Sequence, residues 1–265
     1  MARQDHWQHG HFTWVDLMTT DLAAARSFYR DVFDWELDDY LVDLSAPYTV
    51  CRVADGEVCG MGLVPEALGR GRVPPTWNNY VLVDELTPVL ARVPDLDGTV
   101  FLPATPVMDA GWMAGIADPG GAAVWLWQAG ARGGSTALNA PNTVSWNELA
   151  TRDPEAALRF FGDLFGWTYT PSDVVPSPYW IIENQGRQNG GILDMHDAWP
   201  PDMPPHWSPY FAVKDAEAIC TRATELGGAI HMPPQAIREA RIAILVDPQG
   251  AVFKLFEPED WDTMD

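Results

Sequence analysis

From Phe12 to Leu17 the chain alternates, Phe-Thr-Trp-Val-Asp-Leu, which predicts an extended strand with Phe12, Trp14 and Asp16 on one face. The period then lengthens. Leu22, Ala25, Phe28, Tyr29, Val32 and Phe33 recur at three- and four-residue spacing behind Asp21, predicting an amphipathic helix with an aspartate N-cap. Three short strand-like segments follow, at 36–43, 47–53 and 57–64, and a Pro/Gly-rich linker at 65–75 ends the unit. A second strand–helix–three-strand unit is predicted from a strand at 77–83 and a helix near 85–92 with Leu86, Val89 and Leu90 on one face. Its later strands fall near 99–101, 109–117 and 122–128.

The same pattern then runs again. Trp14, Asp21, Phe28, Phe33 and Trp35 return as Trp146, Asp153, Phe160, Phe165 and Trp167, each 132 residues on. Trp77 and Tyr80 return as Trp207 and Tyr210 after 130 residues, and Asp118-Pro119-Gly120-Gly121 returns as Asp247-Pro248-Gln249-Gly250 after 129. The third helix opens on Asp153-Pro154, a cap followed by proline at the first helical position, and the fourth carries Ala216, Ile219, Cys220, Ala223 and Leu226. The expected fold class is therefore α+β: four βαβββ units in two tandem domains, 1–130 and 141–260, about a pseudo-twofold axis, with 129–142 as the joint. At 265 residues each half is long enough to bury a core of its own.

Composition narrows the function. Sixteen basic against 37 acidic residues leave a formal charge of −21, which argues against nucleic acid and anionic membranes as partners. No run approaches the roughly 20 apolar residues of a membrane helix, and no apolar leader follows Met1, so the cytoplasm is the expected location. Cys51, Cys59 and Cys220 lie outside any CxxC spacing and read as reduced interior thiols. His6, His9 and His11 cluster near the N-terminus, where His9-Gly10-His11 reads either as incidental or as a scavenger of Zn²⁺ or Cu²⁺, whereas His196, His206 and His231 are scattered without metal-ligand spacing. Thirteen tryptophans supply large flat surfaces suited to cores and to aromatic ligands alike.

The strand-plus-helix pattern from Trp14 through Trp35 and the closing pattern from Asp118 through Leu126, both repeated in the second half, resemble the vicinal oxygen chelate superfamily. That superfamily includes glyoxalase I, extradiol dioxygenases and the fosfomycin and bleomycin resistance proteins, and the likeness is nearest to its tandem, glyoxalase-like branch. The resemblance implies a curled sheet forming a cup, with metal ligands at set points in metal-dependent members. Those points map here onto Trp14 and Trp146 on the first strands, near Asn78 and Ser208 on the central strands, and onto Trp125 and Lys254 on the closing strands. Indole offers only an N–H and an ammonium repels a cation, so both cups are expected to be metal-free and no cofactor is expected.

Trp14 and Trp146 then either face the cups or pack helix against sheet. Trp125 and Trp127 share a strand face, and their counterparts are Lys254 and Phe256, so the two cups differ in chemistry. Asp16 and Glu148 fall on the Trp14 and Trp146 faces. Each is either locked into an ion pair, Glu148 with Lys254 for instance, or free to act as a counter-ion for a ligand amine or as a general base. Trp77 and Trp207 are expected at the rim or between domains.

Two functions follow as expectations. The first is a metal-independent binder of a bulky, planar, amine-bearing aromatic natural product. That molecule would be an antibiotic or its biosynthetic intermediate, of anthracycline type, held for biosynthesis or self-resistance by Trp14, Trp125, Trp127, Trp146, Asn78, Ser208 and Phe256. The second is a cofactor-independent isomerase, cyclase or hydrolase, with Asp16 or Glu148 as base and Lys254 as electrostatic partner. A small aromatic molecule is the expected partner, with a biosynthetic enzyme beside it if the protein serves a pathway. Monomer and homodimer both remain open.

Overall fold

Helix caps and strand alternation place the repeat in space. The computed structural model describes residues 7–43, 46–54, 56–66, 69, 73–196 and 199–264; His6 and, within the linker at 65–75, residues 67–68 and 70–72 lie outside the described residues. The first half runs β1 (Phe12–Thr19), α1 (Leu22–Phe33), β2 (Glu36–Asp43), β3 (Ala46–Val53), β4 (Gly56–Leu63), β5 (Thr76–Leu82), α2 (Leu86–Arg92), β6 (Thr99–Val107), β7 (Gly111–Ala117) and β8 (Ala123–Ala129). The second half runs β9 (Thr143–Thr151), α3 (Pro154–Phe165), β10 (Thr168–Ser172), β11 (Tyr179–Asn184), β12 (Arg187–Asp194), β13 (His206–Ala212), α4 (Ala216–Glu225), β14 (Ala229–Ile237), β15 (Ala240–Val246) and β16 (Val252–Pro258).

Each half forms one eight-stranded sheet, in the orders β2-β3-β4-β1-β5-β8-β7-β6 and β10-β11-β12-β9-β13-β16-β15-β14. The first strand of each half pairs parallel to the fourth and antiparallel to the fifth, which places it at the centre of the curl. The Asp21 and Asp153 side chains accept the Ala24 and Ala156 backbone N–H groups at 3.0 and 2.9 Å, satisfying donors that a helix start leaves unpaired. Strand β6 continues to Val107, beyond the expected 99–101. It is an edge strand, where Pro103 and Pro106 cost no ladder hydrogen bond. Among the described residues no helix is long and apolar enough to cross a membrane. All three cysteines are free and buried.

The cores correct one expectation. Neither half packs around its own core; each core joins one unit from each half. Phe28, Tyr29 and Phe33 of α1 pack with Phe211, Cys220 and Phe253 of the second half, and Phe160, Phe161 and Phe165 of α3 pack with Val81, Leu86 and Val124 of the first. Trp77 lies 5.0 Å from Phe211, and Trp207 lies 4.9 Å from Phe12. Both tryptophans therefore serve inter-half packing. The Trp35 and Trp167 indoles donate across the joint to the backbone oxygens of Asn142 and Gly10, each at 2.8 Å. The cause is the strand alternation itself. Val15 and Leu17 turn inward to the shared helical layer, so Trp14 and Asp16 must turn to the opposite face. The halves meet back to back through their helices, and the two cups open away from the shared cores.

Candidate functional site

Asp16 is the centre of the first cup. The register of β1 against β5 sets it opposite Asn78 and sets Trp14 opposite Tyr80. Its carboxylate accepts Asn78 Nδ2 at 2.9 Å, the Tyr80 hydroxyl at 3.0 Å and the Tyr48 hydroxyl at 3.2 Å, while Trp14 Nε1 donates to that Tyr48 hydroxyl at 2.8 Å. None of these partners carries positive charge. Burial therefore dominates, and raises the Asp16 pKa from 3.8 to about 6 against the pull of the three hydrogen bonds. Tyr80 stacks on Trp125 at 5.7 Å, Phe101 meets the same indole edge-on at 5.5 Å, and Trp125 is left 4% exposed. Gly115 makes room for that Phe101 ring, since an added Cβ would fall inside it. The protein fills this cup with its own side chains.

The second cup repeats the frame with different occupants. Trp146 Nε1 donates to the Tyr179 hydroxyl at 2.8 Å, as Trp14 does to Tyr48. Gly191 lies beneath Tyr179, and Gly60 beneath Tyr48, because a Cβ at either would overlap the phenol. Glu148 accepts the Tyr210 hydroxyl at 3.1 Å on both oxygens and Lys254 Nζ at 2.6 Å. The ion pair is almost sealed, with Lys254 and Glu148 side chains 3% and 7% exposed, and the ammonium also lies 5.1 Å from the centre of the Tyr210 ring. Burial and the Glu148 charge together push the Tyr179 and Tyr210 phenols well above their ordinary pKa, so both remain donors.

Where Trp125 fills the first cup, Lys254 stands in the second; in place of Phe101 and Gly115 the second half has exposed His231 and Ile244. The second half holds a cavity of about 770 Å³, a size that suits a multi-ring ligand. Trp146, Tyr179, Ile181, Tyr210, Ile242 and Phe256 line it, and it reaches past Trp14 and Trp7 to the joint at Ser135, Leu138 and Asn139.

Of the residues picked from sequence, Trp14, Trp146, Phe256 and Glu148 line this cavity. Lys254 lies behind Glu148, outside the lining, and Ser208 is buried beside it. Asp16 and Asn78 bond each other inside the filled cup, and Trp125 packs there. Trp127 gives its indole N–H to the backbone oxygen of Arg132 at 2.9 Å. The tyrosines were missed. Tyr80 and Tyr210 stand two residues beyond Asn78 and Ser208, on the same strand face, and that spacing was the signal.

Comparison with known proteins agrees with this geometry. The family model for a glyoxalase-like domain matches residues 146–256. The Mycobacterium tuberculosis protein CFP32, provisionally named a glyoxylase, is 36% identical over 97% of this chain and 98% of its own length. Streptomyces peucetius DnrV, named an anthracycline biosynthesis protein, is 31% identical over 92% of each chain. In fold, the Mn(II)-bound glyoxalase from Novosphingobium aromaticivorans matches with a TM-score of 0.64 at 17% identity, over 97% of this chain and 86% of that one.

A divalent metal does not fit the residues present at the matching points. Trp14, Asn78 and Trp125 offer one amide oxygen between two indoles. Trp146, Ser208 and Lys254 offer one hydroxyl beside an ammonium. Among the described residues no group of three His, Cys, Asp or Glu side chains could hold a metal ion. With 36% identity to CFP32 along nearly its whole length and the repeated cup architecture, this chain belongs to the vicinal oxygen chelate superfamily.

Proposed function

We propose that the protein binds one flat, multi-ring aromatic metabolite per chain, in the second-half cavity and without a metal. The observation that carries this reading is the aromatic-walled cavity of about 770 Å³, in which Trp146 and Phe256 are half-buried and so present ring faces to a ligand. The Trp146 and Trp14 N–H groups are already bonded to Tyr179 and Tyr48, so these indoles offer stacking surface rather than donors. The likeness to DnrV supports a polycyclic aromatic ligand and a setting in antibiotic biosynthesis. The filled first cup argues for one site rather than two.

Catalysis by the expected bases finds less support. Asp16 does not line the cavity, and a general base must reach the proton that it removes. Glu148 does line it, but Lys254 and Tyr210 already occupy its carboxylate oxygens. Titration with an anthracycline and with neutral tricyclic quinones, read by quenching of tryptophan fluorescence, tests the proposal. Saturable 1:1 quenching that persists with excess chelator and is lost in Trp146→Ala is the expected result. No saturable quenching across that panel would refute it.

A further inference from the structure

This inference rests on the reading of the second-half cavity as an aromatic site, and specifies the charge of its ligand. At the cavity floor the polar groups are spent on one another. Glu148 faces Lys254 at 2.6 Å, so its charge is matched and a ligand ammonium would have to displace a buried lysine. The counter-ion expected for an amine is therefore engaged already.

The mouth has the opposite character. Arg187 opens β12 directly after the turn residues Gln185 and Gly186, whose φ angles of 52° and 79° suit a tight hairpin turn. The turn is pinned on both sides. Asn184 donates to the His9 backbone oxygen at 2.9 Å, and Asn189 both accepts the Phe12 N–H at 3.0 Å and donates to the Gly10 oxygen at 2.8 Å. Arg187 lines the cavity and has no carboxylate partner among the described residues. Its field reaches the buried cavity-lining His11, whose pKa is lowered first by burial and then by that guanidinium. The other charged groups at the mouth are Arg238, paired with Asp173 at 2.8 Å, and exposed Glu239.

The duplication supplies an internal comparison. At the hairpin between the third and fourth strands of each half, Arg187 and Gln188 stand where the first half has Gly56 and Glu57. At the hairpin between its sixth and seventh strands, Arg238 and Glu239 stand where the first half has Met108, Asp109 and Ala110. The open cup's rim thus carries Arg187 with no carboxylate partner among the described residues, whereas the matching rim of the filled cup carries Glu57, already paired with Arg132 at 2.9 Å, and Asp109. Gly56 is closed to an arginine in any case, since a Cβ there would meet Ala137 Cβ at 2.5 Å.

We propose that this cavity selects flat aromatic acids, with Arg187 at the mouth reading the ligand's carboxylate or equivalent anionic group. A guanidinium–carboxylate contact is bidentate and charge-assisted, and at a half-exposed mouth it should be worth about a tenfold gain in affinity.

Three probes of equal ring area test it by tryptophan quenching: 2-anthracenecarboxylate, 2-anthracenemethanol and 2-(aminomethyl)anthracene. The carboxylate should bind about tenfold more tightly than the alcohol and the amine more weakly than either, with the differences shrinking at high salt. Arg187→Gln should remove the carboxylate's advantage and leave the alcohol's affinity in place; Arg187→Lys should restore part of it. Equal binding of all three probes, an amine preference, or equal losses for acid and alcohol in Arg187→Gln would overturn the assignment of charge while leaving the aromatic site intact. Failure of all three to bind would overturn the aromatic site, and the acid reading with it.

Discussion

One missing hydroxyl accounts for two buried polar atoms without partners. In the first half, the Tyr29 hydroxyl donates to Asp247 Oδ2 at 3.1 Å and accepts Trp77 Nε1 at 3.0 Å. In the second half the same position is Phe161, 132 residues on, and the corresponding groups are Asp118 and Trp207. Asp118 Oδ2 and Trp207 Nε1 are both buried without a hydrogen-bond partner among the described residues. The ring geometry is already in place: Phe161 and Trp207 lie 5.4 Å apart at 78°, and Tyr29 and Trp77 lie 5.2 Å apart at 89°. Phe161→Tyr should therefore supply both bonds at once.

Each unsatisfied buried group costs about 1–3 kcal/mol, and the new hydroxyl itself must be desolvated, so a net gain of about 2 kcal/mol is expected. For a chain of this size that corresponds to a rise in Tm of roughly 4–6 °C. Tyr29→Phe should cost at least as much, because it creates the same two vacancies in the first half. Urea melts followed by circular dichroism measure both. The gain in Phe161→Tyr should shrink by half or more in an Asp118→Asn background, which weakens the acceptor. A folded Phe161→Tyr protein with unchanged or lowered stability would refute the assignment of both orphans to this one position.

Three further outcomes follow from the cups. Burial pushes the Asp16 pKa up to about 6 from its ordinary 3.8, so the folded state holds the extra proton between those values and loses stability as pH rises through that window. Wild type should accordingly lose on the order of 2–3 kcal/mol relative to Asp16→Asn between pH 4 and pH 7, read from paired melts; a flat difference would refute the burial effect. Lys254→Met leaves Glu148 buried and uncompensated and should cost about 3–5 kcal/mol, most of it recovered in the Lys254→Met/Glu148→Gln double variant; absence of recovery would mean packing, not charge, governs the pair. Gly191→Ala drives a Cβ into the Tyr179 phenol, so it should release Trp146 and weaken aromatic ligand binding at least tenfold, whereas Gly115→Ala in the filled cup, where a Cβ meets only Phe101, should cost stability but not binding.

Much of this architecture was legible in the chain. Two aspartate caps, two periods and recurring offsets indicate the units and their order, and the family resemblance offered the cup as one of two places for Trp146. What stayed hidden depended on the partner of a face. Periodicity marks the apolar stripe of α1 but not that Phe211 and Phe253 of the other half cover it, because any apolar surface of fitting shape would satisfy the same stripe. The Phe101 plug was equally hidden: it comes from an edge strand beyond the expected limit, and its fit depends on Gly115 one strand away. Tyr48 and Tyr179 lie on strands whose face depends on register, and a one-residue slip would turn them outward. Gly60 and Gly191, glycines inside strands, were the available sign that something approaches closely there.

Charge neutralisation and openness are linked through a single pair of positions, Trp125 and Lys254. A buried carboxylate needs either an opposite charge or a sealed set of neutral donors. Asp16 has only neutral donors, so its environment must be closed to hold them in place, and the bulk that closes it is Trp125 stacked by Tyr80 and capped by Phe101. Glu148 has Lys254, whose thin aliphatic stem delivers charge from behind without occupying the cup. The lysine thereby lets the second hollow remain empty, and the tryptophan obliges the first to be full. The two halves share a backbone plan, but Trp125, with Phe101 packed on it over Gly115, closes the first cup, while Lys254 puts no such bulk in the second.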